Sequence, residues 1–154
     1  DELKIIEKSV FKSIEFIKKS PYFKILDESK KVTDISLSKM PFLTEDDINE
    51  LSPDTVKSRK KSTQETREIL LDWFSVMQIF LRDLYFHIRK YPGNFFYFQH
   101  LKSDFFSRVS SGIEAEALFK VIKEIENIRS ALEKNANREL VFLNFVMEIK
   151  ELFK

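Results

Sequence analysis

Cysteine is absent from the 154 residues, so disulfides and thiolate metal sites are excluded, and the chain fits a reducing, cytoplasmic setting. Glycine occurs twice and proline four times. That scarcity argues against a sheet-rich fold and a disordered tail, and two glycines could hardly build a phosphate cradle. No apolar run approaches the roughly 20 residues of a membrane span, and no signal peptide is visible. An excess of one charge is missing too: 26 lysines and arginines stand against 25 acids, which gives no global push toward nucleic acid or an anionic membrane. HExxH, P-loop and GxGxxG patterns are all lacking. His87 and His100 are the only histidines, with no carboxylate or second histidine at ligand spacing. The expectation is a chain without cofactor, metal, small-molecule substrate or catalytic site.

What is present is apolar and aromatic. Apolar residues make up 43% of the chain and 16 of its residues are phenylalanine, enough for one domain with a largely aromatic core. The stretch Ser62–Tyr91 organises the rest. Ser62 and Glu65 form a capping-box pattern, and Pro92-Gly93 stops the helix. Leu70, Trp73, Phe74, Met77, Phe80, Leu81, Leu84 and Ile88 share one broad face at 100° per residue. Asp83 lies just outside that face, while Ile79 and Phe86 fall on the opposite, otherwise polar side. A long helix with two partners is predicted.

Before it, Leu3, Ile6, Val10, Ile14 and Ile17 predict a helix over 1–19, ended by Ser20-Pro21, which could also open a short second helix. Residues 27–40 are weakly patterned and read as loop with one short helix at most. Thr44, followed by Glu45, Asp46 and Asp47, reads as an N-cap with acids in the first turn of a short helix. After the long helix, Phe98, Leu101, Phe105 and Val109 predict a helix over 95–109. Leu118, Val121, Ile122, Ile125, Ile128 and Leu132 predict another over 113–133. Asn135-Ala136-Asn137 makes a turn, with Asn137 as N-cap of a last helix that is apolar over most of its circumference. Such a helix must be covered on more than one side, by its own bundle or by another chain.

Three features bear on function. Arg129 falls within an apolar stripe, where a charge needs a partner, and Asp83 or Asp72 on the long helix are the candidates. Lys57, Arg59, Lys60 and Lys61 form a basic run that would suit phosphates, although a solvated loop is the plainer reading. The run Phe95–Phe98 resembles a base-stacking platform in composition, but its spacing reads as core.

Two stretches resemble a known family. One is Leu70-Leu71-Asp72-Trp73-Phe74 leading to Leu81-Arg82-Asp83-Leu84. The other is the R-x-x-L-x-x-N-x-N-x-x-L pattern from Arg129 to Leu140, running into an apolar helix. Together they look like the C-terminal collar domain of the delta-prime subunit of the bacterial DNA polymerase III clamp loader, with the gamma/tau subunits next closest. The likeness spans residues 66–152, whereas residues 1–65 share only helical character, and the polar segment 40–62 departs from the family pattern. It implies a domain that assembles with other clamp-loader subunits in DNA replication and meets DNA only through the assembly. No AAA+ module is present in this sequence, so no ATP site carries over. Trp73, Asp83, Arg129, Asn135, Asn137 and Leu140 are the family-matching residues, expected to hold helices and subunits in register.

The resulting expectation is an all-α, single helical bundle with one long central helix. N-terminal helices and a polar connector occupy 1–61 and the collar-like core 62–154, together one domain. Because the chain starts at Asp1 inside an apparent helix, a piece of a longer protein is expected. Ile79, Phe86, Phe142, Phe145 and Ile149 are the expected subunit interface, as more apolar helix surface than one bundle can cover.

Overall fold

The computed structural model describes residues 2–51 and 63–153. The basic run Lys57, Arg59, Lys60 and Lys61, the Ser62 cap and the 61/62 boundary lie outside the described residues. Within them the chain is an all-α bundle of seven helices without a strand. These are α1 (Glu2–Lys19), α2 (Tyr22–Lys30), α3 (Glu45–Leu51), α4 (Thr63–Ile88), α5 (Ser103–Ser110), α6 (Ala115–Glu133) and α7 (Arg138–Glu151). Buried side chains from all seven helices form one core cluster, so α1–α3 and α4–α7 share a single interior.

The long helix is central. Its 26 residues span about 39 Å at 1.5 Å per residue. α1 packs along one side, α6 along another, and α5 lies near its end. Leu70, Trp73, Phe74, Met77, Phe80, Leu81 and Leu84 are fully buried, as their spacing predicts. α4 stops at Ile88, short of Tyr91. The Tyr91 N–H bonds the Phe86 carbonyl at 2.9 Å and the Lys90 N–H bonds that of His87 at 3.1 Å. Lys90 adopts the left-handed conformation that such a helix end requires, at φ 61°, and Pro92 follows.

α1 buries Ile5, Ile6, Val10, Ile14 and Ile17 together with Ser9 and Ser13. Leu3, expected in that stripe, stands at its edge and Ile5 takes its place, because the buried face is centred on the 5-9-13-17 row. Small hydroxyl residues serve here because backbone and indole come close. Ser9 Oγ donates to the Pro41 carbonyl at 2.6 Å and accepts the Trp73 indole N–H at 2.9 Å.

Residues 31–43, weakly patterned in sequence, contribute to the core. A short 3₁₀ turn over Lys31–Asp34 and an isolated bridge between Ser36 and Lys39 carry Val32, Ile35, Leu37, Met40 and Leu43 inward. Phe42, held at φ 68°, gives its N–H to the Glu28 carboxylate at 2.7 Å and packs its ring on Phe16 and Phe142. The α3 cap forms as predicted. Thr44 and Asp47 bond reciprocally, the Thr44 N–H to Asp47 at 2.9 Å and the Asp47 N–H to the Thr44 hydroxyl at 3.2 Å.

Two expectations are corrected. The helix expected over 95–109 begins only at Ser103, after a 3₁₀ turn at Gly93–Phe95 and an extended segment. Along the extended segment the buried Asp83 carboxylate accepts the N–H groups of Tyr97 and Phe98 and ties the chain to α4. The second correction concerns α7. Phe142, Phe145 and Ile149 are fully enclosed by this chain's own helices, with Phe142 4.9 Å from Trp73 and Phe145 5.1 Å from Phe74 between ring centres. They are core and offer nothing to a neighbour. Ile79 is half-buried against the same core.

Candidate functional site

Of the residues that carry the resemblance, Trp73, Asp83, Asn135 and Asn137 make contacts that hold this chain's own elements together. Trp73 is buried and pinned to α1 through Ser9. Asp83 is fully buried and shapes the α4–α5 loop; its ion pair is with the adjacent Arg82, at 3.2 Å, and the expected tie to Arg129 does not form. Arg129 is half-buried and meets Glu126 on its own helix at 3.5 Å, with Nε buried and unpartnered. Nor does it bond Asp72, although its charge reaches that carboxyl. Burial raises the Asp72 pKa, Glu68 adds to this, and Arg129 opposes it. The polar link between α4 and α6 is instead Gln78, whose amide reaches Glu126 at 3.0 Å. An amide on a mixed face carries no sequence signal for such a role.

Asn135 and Asn137 close the α6–α7 turn. Asn135 is left-handed at φ 64°, and the N–H groups of Asn135 and Ala136 return to the carbonyls of Leu132 and Ala131. The Asn137 side chain then accepts the Leu140 N–H at 3.0 Å and starts α7. Beside this turn lies an open cleft of about 340 Å³ lined by Thr33, Arg67, Asn135, Asn137, Arg138 and Glu139. Most of its polar groups already have partners: Arg67 bonds Asn135, and Thr33 bonds Glu139 at 3.1 Å.

Two surfaces carry uncovered apolar groups. The first is the face shared by α2 and α7. These helices lie side by side, tied at one end by Tyr22 and Glu151 and at the other by Thr33 and Glu139. Tyr22, Phe23 and Leu26 are exposed on α2, Phe23 at 64%, and Leu140 is exposed on α7 at 56%. Leu143 and Met147 are half-buried on the flank of α7 that runs from Glu139 to Lys150. Lys150 sits over the Tyr22 ring and caps α1 by donating to the carbonyls of Ile17, Lys18 and Ser20 at 2.9 to 3.2 Å.

The second surface is a row of aromatic rings across the end of α4. Successive ring centres lie 5.6 Å apart from Phe119 to Tyr85, 6.4 Å from Tyr85 to Phe86, 5.1 Å from Phe86 to Tyr91 and 6.2 Å from Tyr91 to Phe95. Lys123 stands over Phe119, Arg89 over Tyr85 and Arg82 over Phe86, each about 5.5 Å from the ring centre. The run Phe95–Phe98 is thus not simply core. Phe98 is buried, but Phe95 and Tyr97 are 57% and 60% exposed. Tyr91 and Phe96 also line a hollow of about 410 Å³ with His87, Phe98, Leu101 and Phe106.

Chemistry has few footholds here. His87 Nε2 lies 3.2 Å from the Ser107 hydroxyl, but among the described residues no carboxylate bonds the other ring nitrogen. Among the described residues no group of three His, Cys, Asp or Glu gathers as a metal site, and no helix is long and apolar enough to cross a membrane. Compared with family models, curated proteins and solved structures, the chain matches none of them.

Proposed function

We propose that the chain is a non-catalytic assembly module that seats a neighbouring protein chain on the α2–α7 face. The observation that carries this is the outer side of that helix pair, where Phe23, Leu26 and Leu140 are exposed on adjoining helices beside Tyr22. Exposed apolar groups on adjoining helices, edged by half-buried Leu143 and Met147, are the usual composition of a docking patch. Phe23 is the natural anchor, because a large ring entering a partner's pocket dominates such contacts.

In its finer form the module is a collar domain of the delta-prime kind, or of gamma/tau, working in the cytoplasm as part of the machine that loads sliding clamps in DNA replication. Support for this comes from the residues alone: the Arg129–Leu140 pattern forms a helical hairpin closed by turn and cap bonds, and Trp73 and Asp83 tie the long helix to its neighbours. The partners are then the other clamp-loader subunits. Mixing the chain with the ring-forming clamp-loader subunits of its own organism and measuring mass by light scattering tests both levels. A stoichiometric complex that Phe23→Ser with Leu140→Ser abolishes supports the reading. A chain that stays alone with every subunit overturns the collar form.

A further inference from the structure

We infer that the aromatic row at the end of α4 is a binding site for single-stranded nucleic acid, in which Tyr91 and Phe95 stack bases while Lys123, Arg89 and Arg82 hold phosphates. Tyr91 and Phe95 are about half exposed, and among the described residues no cation stands over either ring, so each offers aromatic surface to a flat partner. The three remaining rings of the row carry the three cations, each held at a fixed height over its ring. A charge parked on an aromatic face is positioned before any ligand arrives. Rings that accept bases beside a track of cations are the arrangement by which proteins bind single strands without reading sequence.

The charge balance favours this occupant over a protein or a lipid surface. From Leu84 to Ser103 the chain has no aspartate or glutamate, yet it carries Arg89, Lys90 and Lys102. Two of the row's three cations already have a carboxylate partner, and Glu126 lies one turn from the third, Lys123. Glu116 is bonded to Arg89, and Asp83 is fully buried, bonded to Arg82 and turned inward on the Tyr97 and Phe98 amides. The overall charge of +1 hides this local excess, because acids elsewhere compensate it. The hollow that Tyr91 and Phe96 share adjoins the stacking end and has room for an inserted ring. A membrane would wet a broad face, whereas these rings contact one another in single file.

The site is separate from the α2–α7 face, so each proposal survives the failure of the other. Fluorescence anisotropy of the whole chain with labelled 15-nucleotide oligo-dT and oligo-rU, a duplex of equal length, and vesicles of phosphatidylcholine with phosphatidylserine tests it. Single strands bind and the duplex binds more weakly; the dT and rU arms tell DNA from RNA. Tyr91→Ala and Phe95→Ala each weaken binding about tenfold. Arg89→Gln with Lys123→Gln flattens the salt dependence by about 1.4 in log–log slope, at roughly 0.7 per phosphate lost. Phe23→Ser leaves binding unchanged. Equal affinity for duplex, indifference to the two ring variants, binding to vesicles alone, or no binding at all overturns the inference.

Discussion

The carboxylate of Asp83, fully buried on α4, accepts the backbone N–H of Phe98 at 2.8 Å and ties the segment that precedes α5 to the long helix. With the second bond to Tyr97 it keeps the loop extended, turns Phe98 into the core and leaves Phe95 outside. Removing the acceptor strands two amides. Asp83→Ala is therefore expected to destabilise the fold by about 3 kcal/mol in urea unfolding. Because Asp83 and Arg129 do not touch, Arg129→Met combined with Asp83→Leu should be additive to within about 0.5 kcal/mol. A larger coupling would restore the direct pair.

Ser9 joins three pieces of chain, α1, Pro41 and Trp73. Ser9→Ala leaves a buried indole N–H and a buried carbonyl unpaired, and the expected loss is about 2 kcal/mol. Thermal unfolding of Ser9→Ala beside Ser13→Ala checks it. Ser13 bonds only the Val10 carbonyl on its own helix, so its loss should be the smaller.

Much of this fold is legible from periodicity. α1, α4, α6 and α7 each repeat apolar residues at helical spacing, and Thr44 and Asn137 announce their helices in the first turn. Val32, Ile35, Leu37 and Met40 were not legible, because an irregular segment buries side chains by its path, which has no period. The extended segment before α5 is not legible for a related reason: the residue that holds it, Asp83, lies on another helix. The face of α7 was misjudged because an all-round apolar helix shows that it is covered without showing by what. Phe142, Phe145 and Ile149 meet Trp73, Phe74 and the rest of the core, while the exposed apolar position is Leu140, one turn from the N-cap. The aromatic row joins α6 to α4 and the loop after it, and no single stretch of sequence contains it.

Acid should weaken the α3 cap. Burial alone would raise the Asp47 pKa. The Lys12 ammonium at 2.7 Å and the Thr44 N–H and hydroxyl outweigh this and hold the carboxyl well below the usual carboxylate range. A group depressed in the folded state contributes stability above its unfolded pKa, near 4, and loses it as pH falls toward the folded value. The stability difference between the native chain and Asp47→Asn should therefore be constant from about pH 7 to 5 and shrink below about pH 4. A difference at pH 2.5 equal to that at pH 7 would show that the carboxylate is not the stabilising form.

Lys90 ends α4 in a left-handed conformation at φ 61°. L side chains are strained there by about 1 kcal/mol or more, whereas glycine is not. Lys90→Gly should raise the midpoint of thermal unfolding, corresponding to about 1 kcal/mol of added stability. Lys90→Val, with a branched Cβ at the same angle, should lower it. The pair of midpoints checks the helix end directly.

The α2–α7 face is tested most directly by where a neighbour touches it. A photoreactive phenylalanine analogue placed at position 23, and in a separate sample at position 119 on the aromatic row, is irradiated in the presence of the clamp-loader subunits. Both positions are exposed rings, so the comparison holds side-chain chemistry constant. A single cross-linked subunit from position 23 and none from position 119 is the predicted result. No adduct from position 23, or adducts of equal yield from both, contradicts a partner seated on α2 and α7.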